Sequence, residues 1–391
     1  MSQAGAQQYL LNTTTVQVEV VTDSVDIPWN ISWGPDHKLW ITDGPSIKKI
    51  DPKTKAIKSI FTSPRTSNGF TIDNGLGLTF HPDFFNTPEV YVLFDTCFYY
   101  SGCGYARLYK YTYSFLGDSL YNETLLFGYS HGGEHVGGRL ITTSDDKILL
   151  TTADYWYSNL PSDPSGKTLR FNLDGTVPSD NPFTDYTWTL GHRNPQGLLQ
   201  APNGNIYSSE HGQFTFDQDE LNVIVKGGNY GWPAYDGLGC SNLIPDTCTS
   251  LTFTHIPPID GGANPPSGID YYDHPSIPEF SNSIIEGTLN KQAFIVYNLD
   301  TPGTSVIAKS VYFNWEFGRL RDVCTAPNGK VYMITNDRDN LYTAPPPTSD
   351  AMIREFYNIA ATYCTPTSSV VHQQVCQGDS ILIDGNYYST A

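Results

Sequence analysis

No apolar run of about 18 residues, the length a membrane-spanning helix needs, occurs in this chain of 391 residues, so nothing in it is expected to span a membrane. Its opening, MSQAGAQQYLL, lacks the basic flank and sustained apolar stretch of an export leader. Basic residues are scarce, with 22 Lys and Arg against 40 Asp and Glu, which leaves a net charge of −18. Such a surface repels nucleic acid and anionic lipid and excludes both as general partners, whereas a small neutral ligand is indifferent to it. Seven cysteines, at 97, 103, 240, 248, 324, 364 and 376, show no CxxC metal spacing. The close pairs 97/103, 240/248 and 364/376 are spaced to staple loops, as in an oxidising compartment, and leave Cys324 over, expected on a buried strand. The expectation is a soluble form of a periplasmic or secreted protein, its leader absent from this sequence.

What the chain has in plenty is Tyr (26), Phe (19), Gly (34) and Pro (27). Aromatic residues suit a pleated surface and Gly and Pro punctuate it, so the profile is all-β with many short strands. A polar turn feeding an apolar strand recurs six times: PDHKLWITD at 35–43, PEVYVLFD at 88–95, DDKILLTTAD at 145–154, PNGNIYSSE at 202–210, KQAFIVYNLD at 291–300 and PNGKVYMITN at 327–336. Spacings of roughly 40 to 80 residues leave room for about four strands per repeat, which predicts a six-bladed β-propeller over 1–350. TVQVEVV at 15–21 is placed to close the ring against the last blade. Residues 351–391 read as an appendage, with a short helix at AMIREFYNIAATYC and then the start of a small β module.

Several segments carry more chemistry than a packed core requires. In HGGEHVGGRL, at 131–140, glycines let a histidine approach a ligand closely, and His135 there suits a general base. His131 is the less functional of the two. Asp154 ends a repeat strand, and its carboxylate is of the kind that holds an imidazole such as His135 in one tautomer. Arg193 and Asn194, between Gly191-His192 and Pro195-Gln196-Gly197, sit in a turn from which a guanidinium can polarise a carbonyl or bind a carboxylate. Arg319 and Arg321 in FGRLRDV, two apart on a predicted strand, share a face and call for an anion beside them, while Asp322 points the other way. In EHGQFTFDQDELN, at 210–222, the Gly212 and Gln213 carbonyls and the Asp219-Glu220 step offer oxygens to a hard cation such as Ca²⁺.

Over roughly 25–345 the chain resembles the soluble quinoprotein glucose and aldose sugar dehydrogenases, six-bladed propellers that use pyrroloquinoline quinone (PQQ) and calcium. The likeness rests on GLGLTFHPDF at 75–84, HVGGRL at 135–140, GKTLRFNLDGTVPSDNPF at 166–183, GHRNPQG at 191–197, DELNVIVKGGNYGWP at 219–233 and GRLRDV at 318–323, in the family's order. The resemblance implies that His135 takes the proton of the sugar C1 hydroxyl with Asp154 as its orienting partner. It sets Arg193 over the quinone carbonyl, where charge develops as hydride arrives, with Asn194 and Gln196 lining the same region. Arg319 and Arg321 become clamps for the PQQ carboxylates. The Gly212 and Gln213 carbonyls become calcium ligands, and Glu220 and the Tyr230 carbonyl match a second calcium site whose downstream acid falls on Cys240.

Two departures stand beside this likeness. Where the family has a cofactor-binding lysine, KQAFIVYNLD offers Asp300, and an acid beside a polycarboxylate costs affinity. The turn GGANPPSG at 261–268 replaces a segment that carries a sugar-stacking aromatic in the glucose dehydrogenases, so a remodelled sugar pocket is expected. Asp300 favours a rival reading, a binding propeller of the same superfamily that has lost PQQ. The set His135, Asp154, Arg193, Arg319 and Arg321 favours a dehydrogenase oxidising C1 of an aldose to the lactone and passing electrons to a further acceptor.

Overall fold

Short strands pair with their sequence neighbours in one four-stranded sheet after another. A computed structural model describes residues 6–361 apart from 68–69, 72, 97–103, 133–134, 155–162, 214–217, 241–253, 263, 290 and 337–350, together with 380–383 and 386–389. Blade 1 is Pro28–Trp33, Leu39–Asp43, Ser46–Ile50 and Ile57–Thr62; blade 2 is Asn74–Phe80, Glu89–Asp95, Gly104–Ser114 and Ser119–His131. Blade 3 is Gly137–Thr142, Lys147–Thr152, Lys167–Asn172 and Thr187–Leu190; blade 4 is Pro195–Gln200, Ile206–Glu210, Asp219–Ile224 and Asp260–Gly262. Blade 5 is Pro266–Tyr272, Ser283–Thr288, Phe294–Leu299 and Val306–Tyr312. Blade 6 takes Leu320–Thr325, Val331–Thr335 and Met352–Asn358 from one end of the chain and Thr15–Thr22 from the other, with Gln7–Leu10 added outside. The first strand of each blade adjoins the first strands of the blades on either side, so six inner strands form a closed ring. This is the expected six-bladed propeller, closed by the TVQVEVV strand as the pattern predicted.

The repeated signature marks second strands, and burial explains why it is so apolar. Leu39–Asp43 and Val331–Thr335 are buried along their whole length because both faces pack on neighbouring blades, whereas the outer strand Val306–Tyr312 is largely exposed. Five of the six repeats are second strands. The sixth, 291–300, is instead the third strand of blade 5, whose second strand is Ser283–Thr288. In antiparallel blades the starts of strands one and three and the ends of strand two lie at one end of the ring. The shift by one strand therefore sends Asp300 to the opposite end.

The boundary at 350 also moves. MIREFYN at Met352–Asn358 is a strand paired on both sides, with Ile353 and Phe356 fully buried, and not the expected helix. Its apolar positions bury into the seams beside blade 6, and that tertiary gain overrides a weak helical pattern. The first compact unit ends at Ala361, and the second, Thr362–Ala391, contains the antiparallel hairpin Ser380–Ile383 with Asn386–Ser389. Cys324 is a buried free thiol on a strand, as expected, and Cys240 is disulfide-bonded. Cys97, Cys103, Cys248, Cys364 and Cys376 lie outside the described residues. Among the described residues no helix is long and apolar enough to cross a membrane.

Candidate active site

Every inner strand shifts register against its second strand near its own start: at 28/30, 75/78, 137/140, 195/197, 266/269 and 320/322. A bulge of this kind breaks the two-residue alternation and re-aims the extra residues. Those residues are Trp29, Leu76-Gly77, Gly138-Arg139, Gln196, Ser267-Gly268 and Arg321, and they meet around the ring axis. Arg139 is the hub. Its Nε donates to the Gln196 carbonyl, Nη2 donates to the Arg321 carbonyl at 2.9 Å, and Nη1 pairs with Asp322 Oδ2 at 2.7 Å. The guanidinium lies 4.1 Å from the Trp29 ring centroid, and Asp322 Oδ2 also accepts the Ile31 N–H at 2.9 Å. Gly268 has no room for a side chain, because a Cβ there would stand 1.6 Å from Asp322 Oδ1. A buried ion pair thus ties blades 1, 3, 4 and 6 together.

On this floor stand the residues singled out by sequence. Arg321 Nη1 donates to Gln196 Oε1 at 3.1 Å and Gln196 Nε2 to Asn194 Oδ1 at 3.0 Å, so GRLRDV and GHRNPQG are joined side chain to side chain. Arg319 lies just before the blade 6 inner strand, and both arginines are buried to within a tenth of full exposure. Their shared strand face does not follow from alternation, because Arg321 occupies the bulge, but Asp322 does turn away, to Arg139. Arg193 Nη1 donates to the carbonyls of Gly212 at 2.6 Å and His211 at 3.1 Å. His135 is lowered to about 4 by burial and by Arg193, which puts the imidazole and the guanidinium in one compartment.

Asp154 departs from its expected role. Its Oδ2 accepts the Trp232 indole N–H at 2.9 Å and its N–H donates to the Arg193 carbonyl at 2.7 Å. Among the described residues no hydrogen bond reaches the His135 ring, so the His135–Asp154 pair does not form; the carboxylate is turned toward the GNYGWP segment instead. His131 is buried against Asp95 at 2.8 Å, a structural role.

Three residues of the site were missed. Glu210 binds His192 Nδ1 at 2.9 Å, the Arg193 N–H and the Asn194 N–H at 3.1 Å, and so fixes the turn that carries both. His211 Nε2–H donates to the Pro266 carbonyl, and the ring is lowered to about 3 by burial and by nearby His135, Arg321 and Arg193. Trp232 lies beneath Arg193, its ring centroid 5.4 Å from the guanidinium carbon. The signal for Glu210 was present: the acid that ends a repeat strand recurs as Asp43, Asp95 and Asp154, and Asp43 likewise accepts the Asp26 and Ile27 N–H groups. The other two needed tertiary structure.

Beside Arg193 lies an acidic wall. Burial raises Asp219 to about 6 and Asp236 to about 7, and burial with the neighbouring Glu210 raises Glu220 well above the usual carboxylate range. Asp219 accepts the Gly212 N–H at 3.0 Å and Asp236 the Gln213 N–H at 3.1 Å. Glu220 accepts the Gly237 N–H at 2.7 Å, and the Tyr230 N–H is bonded to the Leu190 carbonyl at 2.9 Å. The acids that act on Glu220 are Glu210, its cross-strand neighbour, and then Asp236, whereas the position of Cys240 holds a disulfide-bonded sulfur. Among the described residues no three His, Cys, Asp or Glu side chains converge as a metal site.

Asp300 is remote from all of this. Its carboxylate caps the turn after the third strand of blade 5, accepting the Thr304 N–H at 2.7 Å and the Ser305 N–H at 3.1 Å. At the site end of the same blade, between its second and third strands, stands Lys291, whose Nζ donates to Asn264 Oδ1. Asp300→Lys is therefore expected to leave PQQ affinity unchanged, since a partly exposed group at the far end contributes about 0–1 kcal/mol locally and nothing to a site across the ring. A titration of both proteins that finds tighter binding in the variant would return Asp300 to the site.

Comparison with known proteins places this geometry. The profile of the family described as Glucose / Sorbosone dehydrogenase matches residues 25–343. Quinoprotein glucose dehydrogenase B of Acinetobacter calcoaceticus is 34% identical over 261 residues, 56% of this chain and 52% of that protein, so the match spans about half its length. Aldose sugar dehydrogenase of Escherichia coli K12 is 26% identical over 348 residues, 83% of this chain and 91% of that protein. Among solved structures, the PQQ-bound aldose sugar dehydrogenase of Streptomyces coelicolor superposes with a TM-score of 0.72 at 26% identity, covering 88% of this chain and 98% of that one.

Proposed function

We propose, from the premise that this chain belongs to the glucose / sorbosone dehydrogenase family, that it is a PQQ-dependent dehydrogenase that oxidises the C1 hydroxyl of an aldose to the lactone. The observation that carries the reading is the convergence of Arg193, Asn194, Gln196 and Arg321 with His135 at one end of the ring. Buried cations and amide donors in a protein of net charge −18 fit a multiply anionic cofactor in kind. The role assigned to Arg319 and Arg321 is to bind the PQQ carboxylates, with Asn194 and Gln196 holding the neighbouring polar edge. PQQ, when bound, supplies a two-electron acceptor for the hydrogen at C1.

The chain's own part is acid–base and electrostatic. His135, kept neutral by burial and Arg193, takes the proton from the C1 hydroxyl. Arg193, fixed by the Gly212 and His211 carbonyls, presents a fixed positive charge where negative charge develops. For calcium, the Gly212 and Gln213 carbonyls and, at a second position, Glu220 with the Tyr230 carbonyl are hard oxygen donors of the right kind. As arranged, the Gly212 oxygen already accepts from Arg193 Nη1. Oxidation of an extracytoplasmic sugar matches the disulfide-bonded Cys240. With Asp300 at the far end, the observation that favoured a cofactor-free binding propeller no longer bears on the site.

The test is direct: PQQ and Ca²⁺ are added to apoprotein, and a bound-quinone absorbance is expected that bleaches when aldoses are added. Absence of any PQQ binding would end the proposal. Arg319→Ala and Arg321→Ala should each weaken PQQ binding by about 1.5–3 kcal/mol, the range for a lost charged hydrogen bond. If both variants titrate like the parent, the clamp assignment is wrong.

A further inference from the structure

We infer that Trp315 is a stacking platform for a second sugar ring, so that the preferred substrate is the reducing end of a short neutral oligosaccharide rather than a free monosaccharide. The inference rests on the proposed dehydrogenase reading for the ring that is oxidised; the platform itself is a matter of geometry. The chain between the last strand of blade 5, which ends at Tyr312, and the first strand of blade 6, which starts at Leu320, runs over the site end of the ring. Its middle residue, Trp315, is 63% exposed, whereas Phe313 and Phe317 on either side are buried to 6% in the core beneath. Two buried aromatics thus pin a turn that holds a third in solvent.

The backbone is strained to do so. Phe313 stands at φ 52° and Trp315 at φ 63°, in the left-handed region that bulky residues avoid. The other non-glycine residues in that region, among the described residues, are His, Lys, Asp, Asn and Gln, so these two are the only aromatics held there. Such a conformation persists only where the surroundings over-determine it. Here the Trp315 N–H donates to the Gln292 carbonyl at 2.9 Å and the Glu316 N–H to the Phe313 carbonyl at 3.1 Å. The Phe313 and Phe317 rings meet Tyr9 edge to face, with centroids 5.1 Å and 5.7 Å away. An exposed indole adds little stability to offset that strain, which leaves recognition as its use.

The turn belongs to the same rim as the site. Trp315 precedes Arg319 by so few residues that their Cα atoms are at most about 14 Å apart. Gln292, which holds it, follows Lys291, whose Nζ donates to Asn264 Oδ1. The Asn264 N–H donates in turn to Asp219, and Asp219 accepts the Gly212 N–H beside Arg193. A pyranose fits such a platform: its C–H face is apolar with the hydrogens slightly positive, matching the negative face of an indole, while its hydroxyls meet polar groups at the edge. Asn314 precedes the indole and Gln292 is bonded to its backbone, so two amides lie near it. The neighbouring turn GGANPPSG at 261–268 carries no aromatic residue to serve instead. One indole among polar residues is too small a patch for a protein partner, and a net charge of −18 disfavours a nucleotide or an anionic lipid.

Methyl glycosides test the platform without turnover, because a blocked C1 cannot be oxidised. Methyl maltoside, methyl cellobioside and methyl glucoside are titrated against protein loaded with PQQ and Ca²⁺ and against apoprotein. The parent should bind one of the disaccharide glycosides about 5- to 10-fold more tightly than methyl glucoside, the range for one aromatic stacking contact. Trp315→Ala should abolish that margin and bind methyl glucoside as before. In the loaded protein kcat/KM for the matching free disaccharide should fall by the same factor through KM, with kcat for glucose unchanged. Trp315→Gly should need no less urea to unfold than the parent, since glycine adopts φ 63° freely. A parent that prefers neither disaccharide glycoside, or a margin that survives Trp315→Ala, would overturn the inference. So would a Trp315→Gly clearly less stable than the parent, by making the indole a packing group. Equal losses for disaccharide and glucose that vary with the concentration of a phenazine electron acceptor would place the acceptor on the ring instead and overturn it as well. If the loaded protein oxidises no sugar but the margin is present and lost in Trp315→Ala, the dehydrogenase reading fails and the platform stands.

Discussion

His135→Ala is expected to lower sugar-dependent turnover by about 10²- to 10⁴-fold, the usual worth of a general base, while PQQ remains bound. The two halves of this expectation come from different places in the site. The ring stands in the compartment of Arg193, but the polar contacts that suit PQQ belong to Arg193, Asn194, Gln196, Arg319 and Arg321, none of which uses His135 as a partner. The pH profile should carry the same signature. An ordinary histidine would lose its free base form below about 6.5, whereas burial and Arg193 bring His135 to about 4. Because the lowered value favours the neutral ring, the base form persists as pH falls and is lost only through pH 4. The acid limb of kcat should therefore lie near that value in the parent and be absent in His135→Ala. An Ala variant at parental rate, or an acid limb near 6.5, would remove His135 from the role.

The fold was legible because burial writes itself into sequence. A second strand packed on both faces is buried along its length and carries an apolar core, and five of the six repeats are such strands. The sixth misled because Phe294–Leu299, a third strand, is equally buried, so composition does not tell it from Ser283–Thr288. That one-strand slip produced the false contact of Asp300 with the site. The last-blade strand Met352–Asn358 was read as helix because its seven residues mix charge and aromatics, and its burial depends on Thr15–Thr22 from the other end of the chain.

Within the site, residue types were readable but their pairings were not. Arg193, Arg321, Asn194 and Gln196 come together as expected, across 125 positions in the case of Arg321 and Gln196. The bulges that bring them there leave no mark of their own, since a bulge is a mismatch between two strands rather than a property of one. Asp154 shows the same limit. An acid at the end of a second strand is predictable, yet whether it meets His135 or Trp232 depends on how GNYGWP folds back, and that segment is held by backbone bonds to Leu190 and Gly191. His211 was passed over because a histidine beside Gly212 reads as part of the turn.

Asp322→Ala should destabilise the protein by about 3–5 kcal/mol, the typical cost of leaving a buried charge without its partner. The Arg139–Asp322 pair is buried on both sides, with side-chain exposures of 5% and 7%, so neither charge can turn to water. Burial outweighs the pull of Arg139 and raises the Asp322 carboxyl, which means that the pair is not a large net source of stability. The loss arises from what remains after one half is removed. Arg139 would keep its donors to the Gln196 and Arg321 carbonyls but have no anion, and the Ile31 N–H would lose its acceptor. Asp322→Asn should cost less, because an amide oxygen still accepts from one of these donors. In Arg139→Met with Asp322→Leu the buried charges are gone together, and stability should recover in part, limited by the carbonyls left without a donor at about 1–3 kcal/mol for each unsatisfied group. PQQ affinity should not recover with it, because Arg139 is what fixes the backbone of Gln196 and Arg321 beneath the proposed clamp. Urea unfolding of the single and double variants measures the first effect and PQQ titration the second. An Asp322→Ala within about 1 kcal/mol of the parent would show that the six bulges hold the floor without this pair, and a double variant that binds PQQ normally would show that the floor does not set the clamp.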